Sequence, residues 1–122
     1  MEQGVRSAHA TAEQFVRSEL NRWEVAPENL VLIGFSQGTM MSLQTAPRRE
    51  KQLAGVVGFS GALLGEASFA AELKSRPPVT LVHGTADPVV PIEASRLAKG
   101  TLEANGIEVT LTERPNLQHG ID

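Results

Sequence analysis

The chain has 122 residues, 41% of them hydrophobic, and a formal net charge of −3, which suits one domain around a single core. An acidic balance with a pI near 5.6 excludes the basic surface that a run of phosphates requires, so nucleic acid is not an expected partner. No apolar run approaches the ~20 residues of a bilayer span, Met1-Glu2-Gln3-Gly4 lacks the pattern of a secretion signal, and cysteine is absent, so the expectation is a cytoplasmic protein without stable membrane insertion or disulfides.

From Val5 to Trp23 the residues Val5, Ala8, Ala12, Phe15, Val16, Leu20 and Trp23 recur at helical spacing, which predicts an amphipathic helix ending before Pro27. Leu30-Val31-Leu32-Ile33 is a continuous apolar run, as in a central strand covered on both faces. It leads into Gly34-Phe35-Ser36-Gln37-Gly38, a G-x-S-x-G pentapeptide that places one serine on a tight strand-to-helix turn. The two glycines are expected because a side chain at either Gly34 or Gly38 would collide with the neighbouring backbone, and glycine tolerates strained dihedrals. The following helix carries Met40, Met41, Leu43 and Ala46 and stops at Pro47. The Arg48-Arg49-Glu50-Lys51 cluster is mixed in sign and reads as a solvated loop, the alternative being a weak patch for an anionic substrate.

Leu53 to Phe59 is a second strand, and a short helix with Phe69, Ala70 and Leu73 on one side ends at Pro77-Pro78. Val79 to His83 is a third strand. Pro91 suits the first turn of the next helix, which turns Leu97, Ala98, Thr101 and Leu102 inward. Asn105-Gly106 supplies a left-handed stop, and Ile107 to Thr112 alternates apolar and polar residues as an edge strand does. The resulting order, α-β-α-β-α-β-α-β, predicts an α/β fold with about four mainly parallel strands, its crossover helices on one face.

A nucleophilic serine needs a base and a carboxylate to orient that base. Asp87 follows the third strand in His83-Gly84-Thr85-Ala86-Asp87-Pro88, and His119 follows the fourth in Gln118-His119-Gly120. Both lie, with Ser36, just beyond the carboxyl ends of strands, where open parallel sheets bind ligands. Each also has a plain structural reading: Ser36 and Asp87 as turn formers, His119 as a tail histidine. His83 reads as a strand-end stabiliser rather than a catalytic group, and His9 as structural or solvated. A metal site of His83, Asp87 and His119 has no helical zinc spacing and leaves the serine turn unexplained, so no metal or other cofactor is expected.

Four stretches together, residues 34–41, 58–63, 83–91 and 119–122, resemble the carboxylesterase/phospholipase family of α/β-hydrolases, which includes acyl-protein thioesterases. The resemblance covers nearly the whole chain. It implies Ser36 as nucleophile, His119 as general base, Asp87 as its orienting carboxylate and the Gln37 backbone N–H as an oxyanion donor, with Gly34 and Gly38 shaping the turn. The implied activity is that of a serine carboxylesterase cleaving short-chain acyl esters, the alternatives being a thioesterase, a lysophospholipase or a catalytically impaired remnant.

Against the family pattern, residues 1–122 read as one partial domain: the early strands, the loop with the second oxyanion donor and the final helix have no counterpart. The first strand would then be an open edge, and one sheet face, on the order of 300 Å², would be bare. A patch of that size predicts a homo-oligomer, face to face or edge to edge.

Overall fold

The computed structural model describes residues 2–64 and 66–121. Four parallel strands, β1 (Val31–Phe35), β2 (Gly55–Phe59), β3 (Val79–Gly84) and β4 (Val109–Arg114), lie in sequential order. Helix α1 (Glu2–Trp23) precedes β1, and α2 (Gln37–Thr45), α3 (Glu66–Glu72) and α4 (Ile92–Ala104) connect the strands. A 3₁₀ turn at Ala46–Arg48 takes in Pro47, which ends α2 as expected.

Register and burial divide the sheet into two unlike faces. Leu32 pairs with Val56, Val56 with Val79, and Val79 with Val109. This row and the next even row pack under the helices with Leu43, Phe69, Ala98 and Leu102. The intervening row belongs to the other face, where Ile33 pairs with Val57 and Phe35 with Phe59. Ile33 is 72% exposed there, and Val31 and Phe35 are exposed as well.

Helix α2 approaches the sheet closely because glycines stand where it crosses. A Cβ on Gly58 or Gly61 would overlap the side chain of Thr39, which is fully buried and donates its hydroxyl to the Phe59 carbonyl at 2.8 Å. Gly34 has the same role, since a Cβ there would overlap the Gly38 carbonyl group and the Thr39 nitrogen. Gly38 itself has nothing within 4 Å of its would-be Cβ. The expected collision therefore applies to Gly34 and not to Gly38, whose open flank lies on the outer side of the turn.

Other departures from expectation share a cause: spacing identifies a stripe but not its neighbour. Of the α1 stripe, Val16 and Leu20 are buried while Phe15 and Trp23 are exposed; the side chains of Val5, Ala8 and His9 lie outside the described residues. Leu97 of α4 and Ala70 of α3 also face solvent. Pro91 caps α4 rather than entering its first turn. Among the described residues β1 is an edge strand with one exposed face, whereas its unbroken apolar run predicts a strand covered on both. The Arg48–Lys51 segment is only partly solvated. The Arg48 and Arg49 side chains are 7% and 9% exposed and pair with Glu72 and Glu13 at 3.0 and 2.9 Å.

Candidate active site

Ser36 sits between the last residue of β1 and the first of α2 with φ 55° and ψ −112°, outside the wells that L-residues favour. Its conformation is held from both sides. The Ser36 N–H donates to the Phe59 carbonyl at 2.8 Å, and the Ser36 carbonyl accepts the Met40 N–H at 3.1 Å. Gln37 opens α2, so its N–H has no acceptor within the helix and stands at the positive end of the helix dipole.

Asp87 lies in the turn after β3 with its side chain wholly buried. One carboxylate oxygen, Oδ1, accepts the N–H groups of Val89 and Val90 at 2.8 and 2.9 Å. The other, Oδ2, accepts from His119 Nδ1 at 2.7 Å. Burial by itself pushes the Asp87 pKa up, but the bonds from His119, Val90 and Val89 outweigh it and hold the carboxyl below its ordinary value. Asp87 is therefore an acceptor only, so the His119 proton resides on Nδ1 and the Nε2 lone pair is free. That lone pair faces Ser36 Oγ at 3.0 Å.

Two loops bring the aspartate and the histidine together. Thr85 and Ala86 N–H groups donate to the carbonyls of Arg114 and Leu117 at 3.1 and 3.0 Å, and the Asn116 N–H donates to Thr85 Oγ1 at 3.0 Å. Gly84 permits this approach, because a Cβ there would overlap the Leu117 carbonyl. Phe35, the second residue of the pentapeptide, packs its ring against His119 with centroids 4.9 Å apart.

All three residues singled out by position, Ser36, Asp87 and His119, are thus joined in one hydrogen-bonded chain. His83 lies apart from Ser36, buried at the end of β3 and bonded to Ser95 and Val90. Thr39, Phe35 and Ser95 were not singled out in the sequence. The glycines at 58 and 61 are the sequence signal for the recess that receives Thr39. Among the described residues no group of three or more His, Asp or Glu side chains is placed to hold a metal ion, and no helix is long and apolar enough to cross a membrane.

The phospholipase/carboxylesterase family model matches residues 1–122. Acyl-protein thioesterase 1 of Gibberella zeae is 31% identical in an alignment of 122 positions that covers 96% of this chain and 52% of that protein. Among solved structures, esterase PE8 superposes with a TM-score of 0.96 at 34% identity, over 98% of this chain and 56% of that one. SOBER1 of Arabidopsis thaliana superposes with a TM-score of 0.92 at 25% identity, over 100% and 59%. This chain therefore spans about half the length of those relatives, and the family match over residues 1–122 shows that it belongs to the phospholipase/carboxylesterase family of α/β-hydrolases.

Proposed function

We propose that this chain carries the nucleophile, base and orienting carboxylate of a serine carboxylesterase acting on short-chain acyl esters. The observation that carries the reading is the unbroken series Ser36 Oγ, His119 Nε2, His119 Nδ1, Asp87 Oδ2, with contacts of 3.0 and 2.7 Å. Ser36 Oγ bonds to the ester carbonyl carbon as its proton passes to His119 Nε2. The carbonyl oxygen takes up the negative charge beside the Gln37 N–H. His119 then returns the proton to the departing alcohol, leaving an acyl-serine. A water molecule repeats the sequence, giving its proton to His119 and its oxygen to the acyl carbon, and Ser36 is regenerated. Asp87 keeps the imidazole in the tautomer that accepts at Nε2 throughout.

A second reading, thioester cleavage, is favoured by the relatives named acyl-protein thioesterase, since the same residues attack a sulfur ester equally well. Relative turnover of matched oxygen and sulfur esters separates the two. The exposed Val31, Ile33 and Phe35 further support self-association, checked by light scattering; an Ile33→Glu variant that scatters like the parent protein counts against this surface.

Incubation with a fluorophosphonate followed by peptide mass spectrometry tests the enzymatic reading. We expect covalent label on Ser36 that disappears in His119→Ala. Absence of label on the unaltered protein overturns it.

A further inference from the structure

Behind Asp87 lies a buried polar cluster that the chemistry above does not use. His83 has no exposed surface. Its Nε2 is 2.7 Å from the Val90 carbonyl oxygen and 3.5 Å from Asp87 Oδ2, and its Nδ1 is 2.5 Å from Ser95 Oγ. A carbonyl only accepts, so Nε2 carries a proton and donates it to Val90. Nδ1 meets the hydroxyl of Ser95, a buried residue of α4 whose Oγ also donates to the Gly61 carbonyl at 3.3 Å. The ring is thus held in one orientation by contacts on both nitrogens.

Val90 is the link between this cluster and the site. Its carbonyl is bound by His83, while its N–H is one of the two donors to Asp87 Oδ1 at 2.9 Å. Residues 87–90 therefore form a short closed loop in which the carboxylate and the peptide that grips it are both tied to the end of β3. Val90 is 7% exposed, so water has little access to replace a lost donor there.

We propose that His83 is the positioning residue of Asp87. By clamping the Val90 carbonyl and presenting its Nε2–H edge beside Oδ2, it keeps the carboxylate turned so that Oδ2 meets His119 Nδ1–H. Ser95 acts one step further back by holding Nδ1 and with it the plane of the His83 ring. His83 does not contact Ser36 or His119 and performs no proton transfer in the reaction. This assignment rests on the reading of Ser36, His119 and Asp87 as a catalytic series.

Two substitutions at one position separate positioning from simple space filling. In His83→Gln the amide N–H reaches toward the Val90 carbonyl as Nε2 does, whereas in His83→Asn the shorter side chain can meet Ser95 but not Val90. We expect His83→Asn, folded by circular dichroism, to react with fluorophosphonate at Ser36 about a hundredfold more slowly, the scale of a small misplacement of a catalytic group. It should also lose the downfield proton resonance of His119 Nδ1–H. His83→Gln should recover most of the rate and the resonance. Ser95→Ala should move both readouts in the same direction by a smaller factor, and it decides the matter if His83→Asn does not fold. The proposal is overturned if the folded variants melt at lower temperature yet label at the parent rate and keep the resonance. If the unaltered protein does not label at all, the enzymatic reading fails. The resonance then decides the positioning role alone: retention in His83→Asn and Ser95→Ala rejects it, and loss restored by His83→Gln supports it.

Discussion

At its carboxyl end β1 runs into a set of interlocking hydrogen bonds, whereas along its outward face Val31, Ile33 and Phe35 stand exposed to water. The first region assembles from short loops at the ends of three strands, and each of its polar groups has a partner within the chain: Ser36 with His119, His119 with Asp87, Asp87 with Val89 and Val90. The second region is apolar and unmatched, bordered by a cleft of about 380 Å³ between α1 and the β1 edge that includes Phe15 and Trp23. Hydrogen bonds thus join the three side chains at the strand ends, while the outward face of β1 is left exposed. The two can be perturbed separately.

The largest expected effect lies in the first region. Ser36→Gly removes the nucleophile and should lower ester hydrolysis by roughly 10⁴-fold or more. The same change relieves a φ of 55° that costs a non-glycine residue on the order of 1–3 kcal/mol, partly offset by the added backbone freedom of glycine when unfolded. Denaturant unfolding should therefore show the inactive variant to be more stable, by about 1 kcal/mol. A loss of stability would mean that the serine turn is not under strain.

Next come the two glycines of the pentapeptide, which sequence treats as equals. Gly34→Ala drives a Cβ into the backbone of Gly38 and Thr39, which cannot rotate away, and should cost about 3 kcal/mol or more. Gly38→Ala meets open space in the second position of α2 and should be neutral or slightly stabilising, because alanine is favoured over glycine in a helix by about 1 kcal/mol. Equal losses of unfolding free energy in the two variants would contradict the geometry of the turn.

The two faces of the sheet are compared with a single residue type. Val56 on β2 is 1% exposed under the helices, so Val56→Ala should cost about 2 kcal/mol in lost burial and cavity. Val31 on β1 is 44% exposed on the other face, and Val31→Ala should change stability by no more than about 0.5 kcal/mol. Thermal unfolding at a concentration where the protein is monomeric measures both. A loss for Val31→Ala as large as that for Val56→Ala would contradict the difference in burial between the two faces.

How much of this was legible in the sequence follows from which features are local. Proline and glycine mark the element ends wherever they act on their own backbone, as Pro47 after α2 and Gly106 with φ 82° after α4 do. Ser36, Asp87 and His119 each lie within a few residues of the carboxyl end of a strand, so a parallel sheet brings them to one end without any knowledge of long-range packing. Which side of a helix or strand is covered was not legible, because that depends on what lies opposite. Phe15, Trp23 and Leu97 have the right spacing but stay exposed, and Arg48 and Arg49 are buried because Glu72 and Glu13 face them. The recess for Thr39 needs three glycines from separate segments, Gly34, Gly58 and Gly61, and their convergence exists only in the folded chain.

The smallest effect concerns acid. The Asp87 carboxyl is held below its ordinary value of 3.8, so in the folded protein it gives up its proton more readily than in the unfolded chain. As pH falls, the unfolded chain takes up that proton first, and folding loses the advantage. The contribution of Asp87 to stability is therefore fully present above the unfolded-state value, near pH 4, and disappears as pH drops through the lower folded-state value. Comparing unfolding free energies of the unaltered protein and Asp87→Asn from neutral pH downward should show a constant gap above about pH 5 that closes below about pH 4. A gap that persists unchanged into strong acid would mean that the carboxylate charge is not what the His119 and Val89–Val90 donors stabilise.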